Sequence, residues 1–264
     1  NSGSANPYRR NATIKTTVTN DWNGVTSAGV NAEWTAEGTE AADASPTVGQ
    51  LKVTPQKADA YIFGSQEFEM DSDFASQLPD LIADAKDRLE EAAFAVGTGT
   101  GQPKGVVPAG TTLAAATGSV ANGAAVADVT SLMAALPARW RTGRANNRWL
   151  ANLTTINNLR TKAAFTNATV PLIVDTPTGP TMFGKPVEES TSIAGYGTNA
   201  NKFLVWLDFY QYYIVDRIGM SVIFDPVVIG TNRRPTGQQA WYAFWRVGAD
   251  VTTATAVRVL TATT

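Results

Sequence analysis

The chain has 264 residues, 21 basic and 23 acidic side chains, a formal charge of −2, and neither cysteine nor histidine. A near-neutral balance argues against a protein that coats nucleic acid by neutralising phosphates. The missing residue types exclude a disulfide scaffold, thiolate or histidine-based catalysis, and the usual zinc sites.

In chain order, residues 1–30 are polar and carry the basic pair Arg9 and Arg10, a possible strand at Ala12–Thr19, and Trp22. Together with the isolated Trp34 this predicts an arm ordered by docking on something else. Residues 31–64 combine Glu33, Glu37, Glu40 and Asp43 with two short apolar runs, Leu51–Val53 and Tyr61–Phe63. Two strands joined by a long connection of small residues predict an extended hairpin too poor in apolar side chains to fold alone and gripped by a partner. Glu67, Glu69, Asp71 and Asp73 then alternate with Phe68 and Met70, as on a solvated strand face running into a helix cap.

The next segment, Asp73–Gly105, predicts a long amphipathic helix entering a glycine-rich loop. Phe74, Leu78, Leu81, Ile82, Ala85, Leu89, Ala92, Ala93 and Val96 recur at three- and four-residue spacing and define its core stripe. Asp71 or Ser72 caps its start, Pro79 marks where the regular part begins, and Gly97 suits a left-handed residue past its end. On this reading Leu89→Asp would bury an unpaired charge and cost the folded subunit. After an Ala/Gly/Thr-rich stretch, Asp128 caps a second helix carrying Val129, Leu132, Met133, Leu136 and Trp140, which Gly143 ends. Arg148–Ala151 predicts a buried strand, and Thr154–Lys162 a third helix. Met182–Val187 and Phe203–Leu207 predict strands. Trp241, Ala243, Trp245 and Val247 alternate with Tyr242, Phe244 and Arg246 along a strand apolar on both faces.

No catalytic pattern accompanies these elements. Gly179–Lys185 matches the first seven positions of a phosphate-binding loop, but Pro186 stands where a hydroxyl must hold magnesium, and the following residues are extended rather than helical. Gly97–Gly101 follows a helix, whereas a dinucleotide loop must follow a strand. The acids from Glu67 to Asp73 share one element, unlike glycosidase carboxylates facing each other across a cleft. No cofactor, metal or enzymatic turnover is expected. The apolar runs are far below the ~20 residues a membrane helix needs, so no membrane association is expected. A first residue of Asn1 rather than Met suggests proteolytic removal of a preceding segment, or a truncated product.

Five segments, in order, resemble the phage capsid family of the Hong Kong 97 type. They are the acidic, alanine-rich helix with its GTGTGQPKG loop, the run from Leu136 to Lys162, Met182–Val187, the stretch from Asp208 to Pro226, and Gln238–Leu260. The resemblance implies a mixed α+β subunit. Its parts are an N-terminal arm (1–30), an extended E-loop hairpin (31–64), a P domain with a spine helix (65–107), an A domain (108–237) and return strands to the P domain (238–264). It implies a major capsid protein that assembles in the bacterial host cytoplasm as pentamers and hexamers and closes an icosahedral virion shell around double-stranded DNA, held without sequence-specific binding. A portal and a cement or decoration protein are implied partners. A bacterial encapsulin, which has the same fold and encloses enzymes, is the alternative. Inter-subunit contacts are expected at Arg9, Arg10, Trp22, Trp34, Glu37, Lys52 and Lys57, and the spine-helix core at Phe74, Leu78, Leu81, Ile82 and Leu89. Some members of the family form Lys–Asn isopeptide bonds promoted by a Glu. Lys52 and Lys57 could supply amines, but Gln238–Val251 contains neither Asn nor Glu, so a shell without these crosslinks is expected.

Overall fold

The computed structural model describes residues 6–27, 32–40, 43, 45–46, 48–65, 74–114, 124–142, 145–164 and 170–263. Strict alternation sets the first sheet. In β4 (Gln56–Ser65), Ala58, Ala60 and Ile62 are half-buried, while Lys57, Asp59, Tyr61 and Phe63 are exposed. This strand pairs antiparallel with β12 (Gln238–Val251), placing Tyr61 opposite Tyr242. Strand β12 pairs in turn with β11 (Tyr212–Asp225), and β11 with the short parallel strand β1 (Thr13–Thr16), giving the order β1-β11-β12-β4. Trp241, Ala243, Trp245 and Val247 are buried on one face, and Tyr242, Phe244 and Arg246 are half-buried on the other.

The second sheet has seven strands. Its centre is β10 (Lys202–Asp208), buried from Phe203 onward as befits a strand covered on both faces. It is flanked by β6 (Asn147–Ala151) and β13 (Val257–Thr261), both antiparallel to it. Beyond β13 lies β5 (Thr111–Ala114), and beyond β6 lie β9 (Lys185–Glu189), β8 (Gly179–Met182) and β7 (Ile173–Thr176). The single turn α3 (Val106–Ala109) leads into β5, and among the described residues three further helices accompany this body: α4 (Val126–Ala135), the single turn α5 (Ala138–Arg141) and α6 (Leu153–Arg160). Trp149 and Trp206 stack at its centre with ring centroids 4.3 Å apart. The third sheet is a two-stranded ribbon of β2 (Trp22–Ser27) and β3 (Val48–Val53). The fold is mixed α+β, as expected.

The region predicted as a phosphate-loop match is a hairpin. Phe183 and Gly184 turn with φ of 50° and 73° between β8 and β9, and Met182 pairs with Lys185. The glycine loop after the long helix is likewise structural. Gly105 N donates to Gly97 O at 2.8 Å, Lys104 N donates to Ala249 O at 3.0 Å, and the Tyr212 hydroxyl donates to Lys104 O at 2.9 Å.

Several expectations require correction. The long helix, α2 (Phe74–Val96), starts before Pro79 and carries it inside; the predicted caps Asp71 and Ser72, and the acids Glu67 to Asp73, lie outside the described residues. Gly97 is not left-handed: a Cβ there would lie 2.2 Å from Pro103 O and 2.4 Å from Ala93 O, so bulk rather than φ selects glycine. Asp128 is not the cap of α4 but its third residue, where its carboxylate accepts from Ala125 N at 2.8 Å. The helix therefore starts at Val126, and Pro137 splits the predicted run into α4 and α5.

The apolar stripe of α2 is also misphased. Leu78 and Ile82 are buried against Trp241 and Ala243, but Leu81 and Leu89 are each 50 % exposed. Phe94 and Ala95 are fully buried in their place, alongside Glu90 and Glu91. The reason is electrostatic. These two acids have partners waiting, so they occupy inward positions that a count of apolar residues assigns elsewhere. The side chain of Phe74 lies outside the described residues. Leu89→Asp is now expected to change the stability of the unassembled subunit by less than about 1 kcal/mol, as at other surface positions; thermal unfolding of that variant measures it. Gly105→Ala should cost more, because its Cβ would meet Ala95 C and O at 2.6 Å. Backbone cannot yield as a side-chain tip can, so a loss of about 1–3 kcal/mol is expected, read as a lowered unfolding midpoint in denaturant.

Candidate assembly surfaces

The N-terminal segment is ordered by its own chain. Asn6 caps α1 (Pro7–Asn11) by accepting from Tyr8 N and Arg9 N at 3.1 and 3.3 Å. The helix places Tyr8, fully buried, among Phe94, Phe209 and Tyr212. Burial pushes the Tyr8 phenol well above its ordinary range. The Tyr8 hydroxyl shares a 3.0 Å hydrogen bond with Ser190 Oγ, which donates to Glu91. The Glu91 carboxylate also accepts from the hydroxyls of Thr191 and Ser192. Glu91, 7 % exposed, is thus solvated by hydroxyls.

Arg9 sits between two acids. It forms a two-pronged contact with Asp216 at 2.9 Å on each prong and a second with Glu90, which Lys86 also meets at 3.0 Å. Burial alone would lower the Arg9 pKa, but the hydrogen bonds to Asp216 and Glu90 outweigh it and raise the value above the ordinary guanidinium range. Arg10 pairs with Glu188. The expectation that this segment is ordered by another molecule is therefore corrected: Arg9 and Arg10 serve contacts within the chain. The matched acids Glu90, Asp216 and Glu188 lie 81 to 207 residues away, so no local spacing marked them.

The remaining predicted contact residues lie on or beside the ribbon. Trp22 stacks on Tyr213 with centroids 5.4 Å apart, and Lys52 meets Asp21 at 3.0 Å, so both brace the ribbon's base. The ribbon pairs β2 with β3, whereas the sequence reading paired residues 51–53 with 61–63; Tyr61–Phe63 instead belongs to the four-stranded sheet. Lys57 donates to the Tyr242 hydroxyl at 2.5 Å and lies 3.3 Å from Asp59. Those two partners, Tyr242 first, raise the Lys57 pKa. By contrast, Trp34 stands wholly in solvent at 105 % relative exposure, with Glu37 exposed beside it.

A second exposed region, missed by sequence reading, is the far end of the four-stranded sheet. There Tyr61, Phe63, Val222, Ile223 and Phe224 are 48–59 % exposed, and the loop 226–237 adds Ile229 at 63 %. The alternating pattern of β4 and β12 carried the signal: aromatics occupied both faces, but only one face had a helix to cover it. Among the described residues no cluster of three or more side chains could hold a metal, and no helix is long and apolar enough to cross a membrane. The arrangement offers large exposed surfaces for contact with other molecules.

Residues 3–262 match the family model of the phage capsid family. No curated protein matches the chain in sequence. Among solved structures, the capsid of a native GTA particle superposes with a TM-score of 0.80 at 22 % identity, covering 100 % of this chain and 91 % of that one. A structure from Microbacterium phage Oxtober96 gives 0.71 at 15 % identity, with coverage of 97 % and 91 %. One from Mycobacterium phage Bobi gives 0.70 at 13 %, with coverage of 96 % and 89 %. At these identities the likeness is one of fold.

Proposed function

The chain belongs to the phage capsid family, and on that footing we propose that it forms a Hong Kong 97-type icosahedral shell of pentamers and hexamers around double-stranded DNA. It is a major capsid protein whose copies assemble into a virion shell. The observation that carries the finer reading is the pairing of two sheets, joined through a shared core, with a ribbon that contributes no cluster of its own. Such a ribbon gains order by burial against neighbours, which ties its conformation to assembly. We assign the spine-helix sheet to the P domain, which takes β4 from the expected E-loop (31–64) and β11 from the expected A domain (108–237); the seven-stranded body, which takes β13 from the expected return strands (238–264), to the A domain; the ribbon to the E-loop; and residues 6–17 to the arm. A portal and a cement protein complete the proposed particle, and assembly is placed in the host cytoplasm. The solved relatives named above are phage and GTA capsids, which lends the encapsulin reading no support.

Electron microscopy of particles formed by the full chain tests this. Closed icosahedral shells containing DNA are expected. Shells filled with protein and free of DNA would favour the encapsulin instead, and a monomer that never assembles under any packaging condition would refute shell formation. The lack of Asn and Glu in Gln238–Val251 supports a shell without isopeptide bonds. Boiled particles in a denaturing gel should run as one band near 28.0 kDa, and a ladder of covalent oligomers would contradict this.

A further inference from the structure

Strand β10 ends at Asp208, whose side chain caps the short turn Phe209–Gln211. Its Oδ1 accepts from Asn146 N at 2.9 Å and from Tyr210 N at 3.1 Å. Its Oδ2 accepts from no described residue, although Asp208 is only 3 % exposed. Burial outweighs the two N–H groups and raises the carboxyl above the usual aspartate range. An acceptor withdrawn from water and given no donor is costly, and a ligand that supplies the donor recovers that cost.

Asp208 lines a cavity of about 410 Å³, inside the ~300–1,000 Å³ span of small-molecule sites. Trp140 of α5, Tyr210 and Gln211 of the turn, and Tyr213 of β11 line the same cavity. Aromatic surface thus stands beside polar tips. Trp140 Nε1 and Gln211 Nε2 are donors, and the hydroxyls of Tyr210 and Tyr213 serve either way. None of these four groups has a partner among the described residues. An adjoining cleft of about 700 Å³ shares Trp140, Gln211 and Tyr213 and adds Thr253 and Thr255.

Charge narrows the ligand class. A cation would suit Asp208, but the Arg139 guanidinium already lies 4.8 Å from the Trp140 ring centroid and lines the same cavity. An anion would suit Arg139 but would meet the Asp208 carboxylate. A neutral ring bearing several hydroxyls satisfies both, because each hydroxyl donates one hydrogen bond and accepts others. Its C–H face covers aromatic surface at the same time. We propose that this cavity binds a hexopyranose unit of a neutral glycan, with one ring hydroxyl donating to Asp208 Oδ2 and the ring lying against Trp140 and Tyr210. The adjoining cleft takes the next unit of the same glycan. The site is independent of shell formation, so its failure leaves the capsid reading standing.

Saturation-transfer NMR and calorimetry on the full chain test this, with neutral trisaccharides of glucose, galactose and mannose as probes. Spermidine and sialyllactose serve as the cationic and anionic comparisons. At least one neutral trisaccharide should bind, with saturation reaching its ring protons. Asp208→Asn keeps Oδ1 for the two backbone donors but turns the unpaired oxygen into an amide donor. Its Kd should rise about tenfold or more, the worth of one hydrogen bond to a charged group. Thermal unfolding of each variant is recorded alongside. If Asp208→Asn lowers the unfolding temperature, Tyr210→Ala decides, because that side chain is 46 % exposed and its removal leaves the fold in place: a tenfold loss of affinity supports the site and parental affinity refutes it. Three other results would overturn the proposal: no binding of any neutral trisaccharide, unchanged affinity in a stably folded Asp208→Asn, or tighter binding of spermidine or sialyllactose than of every neutral sugar.

Discussion

Arg9→Ala should destabilise the unassembled subunit by about 3–5 kcal/mol, the range seen when one partner of a buried ion pair is removed. Glu90 is 2 % exposed and would keep only Lys86, while Asp216 would lose both of its 2.9 Å contacts. The same guanidinium lies 5.9 Å from the Phe94 ring centroid, so packing is lost together with charge. Arg9 also joins three segments: α1, the spine helix and β11. Its loss should therefore loosen the parallel pairing of Thr13–Thr16 with Tyr213–Asp216. Arg9→Lys keeps the charge but lacks the planar fork that engages two carboxylates, and should fall between parent and Ala. Urea unfolding of the three proteins measures the order. A loss under about 1 kcal/mol for Arg9→Ala would mean that Lys86 and water satisfy Glu90 unaided.

Trp206→Ala is expected to cost a similar amount, about 3–5 kcal/mol, for a different reason. Trp206 is fully buried on the central strand of the seven-stranded sheet and stacks on Trp149. Truncation opens a cavity that flanking strands, hydrogen-bonded on both sides, cannot collapse to fill. The two indoles should nevertheless respond differently to phenylalanine. Trp149 Nε1 donates to Met182 O at 3.1 Å, whereas Trp206 Nε1 has no partner among the described residues. Trp206→Phe removes a buried donor that was unsatisfied, so it should cost less than Trp149→Phe, which breaks a hydrogen bond as well. Denaturant midpoints of the three variants check both the size and the order. A larger loss for Trp206→Phe than for Trp149→Phe would show that packing around Trp206, not the Trp149 hydrogen bond, dominates.

Local patterns were sufficient where one segment decides its own structure. The spine helix, the Leu153–Arg160 helix, the buried strand through Trp149 and the alternating strand through Trp245 follow from spacing within single windows. The failure of Gly179–Lys185 as a phosphate loop was also legible, because Pro186 lacks the hydroxyl that the chemistry requires. The helix stripe was not: Leu81 and Leu89 fit the period as well as Leu78 and Ile82 do. Glu90 could be read as inward only with knowledge that Arg9 and Lys86 face it.

By itself, then, the sequence determined composition class, element types, the absence of histidine and cysteine chemistry, and the ordered motifs that mark the phage capsid family. These depend on residue type and short spacing, which a chain carries whether folded or not. Only the tertiary structure decided that α1 docks on its own subunit, that β3 pairs with β2 while β4 joins β12, and that acids occupy the buried side of the spine helix. Each of these joins residues far apart in sequence, up to the 207 positions between Arg9 and Asp216. The free energy that selects among such pairings comes from burial and charge matching between segments, and no local window contains it.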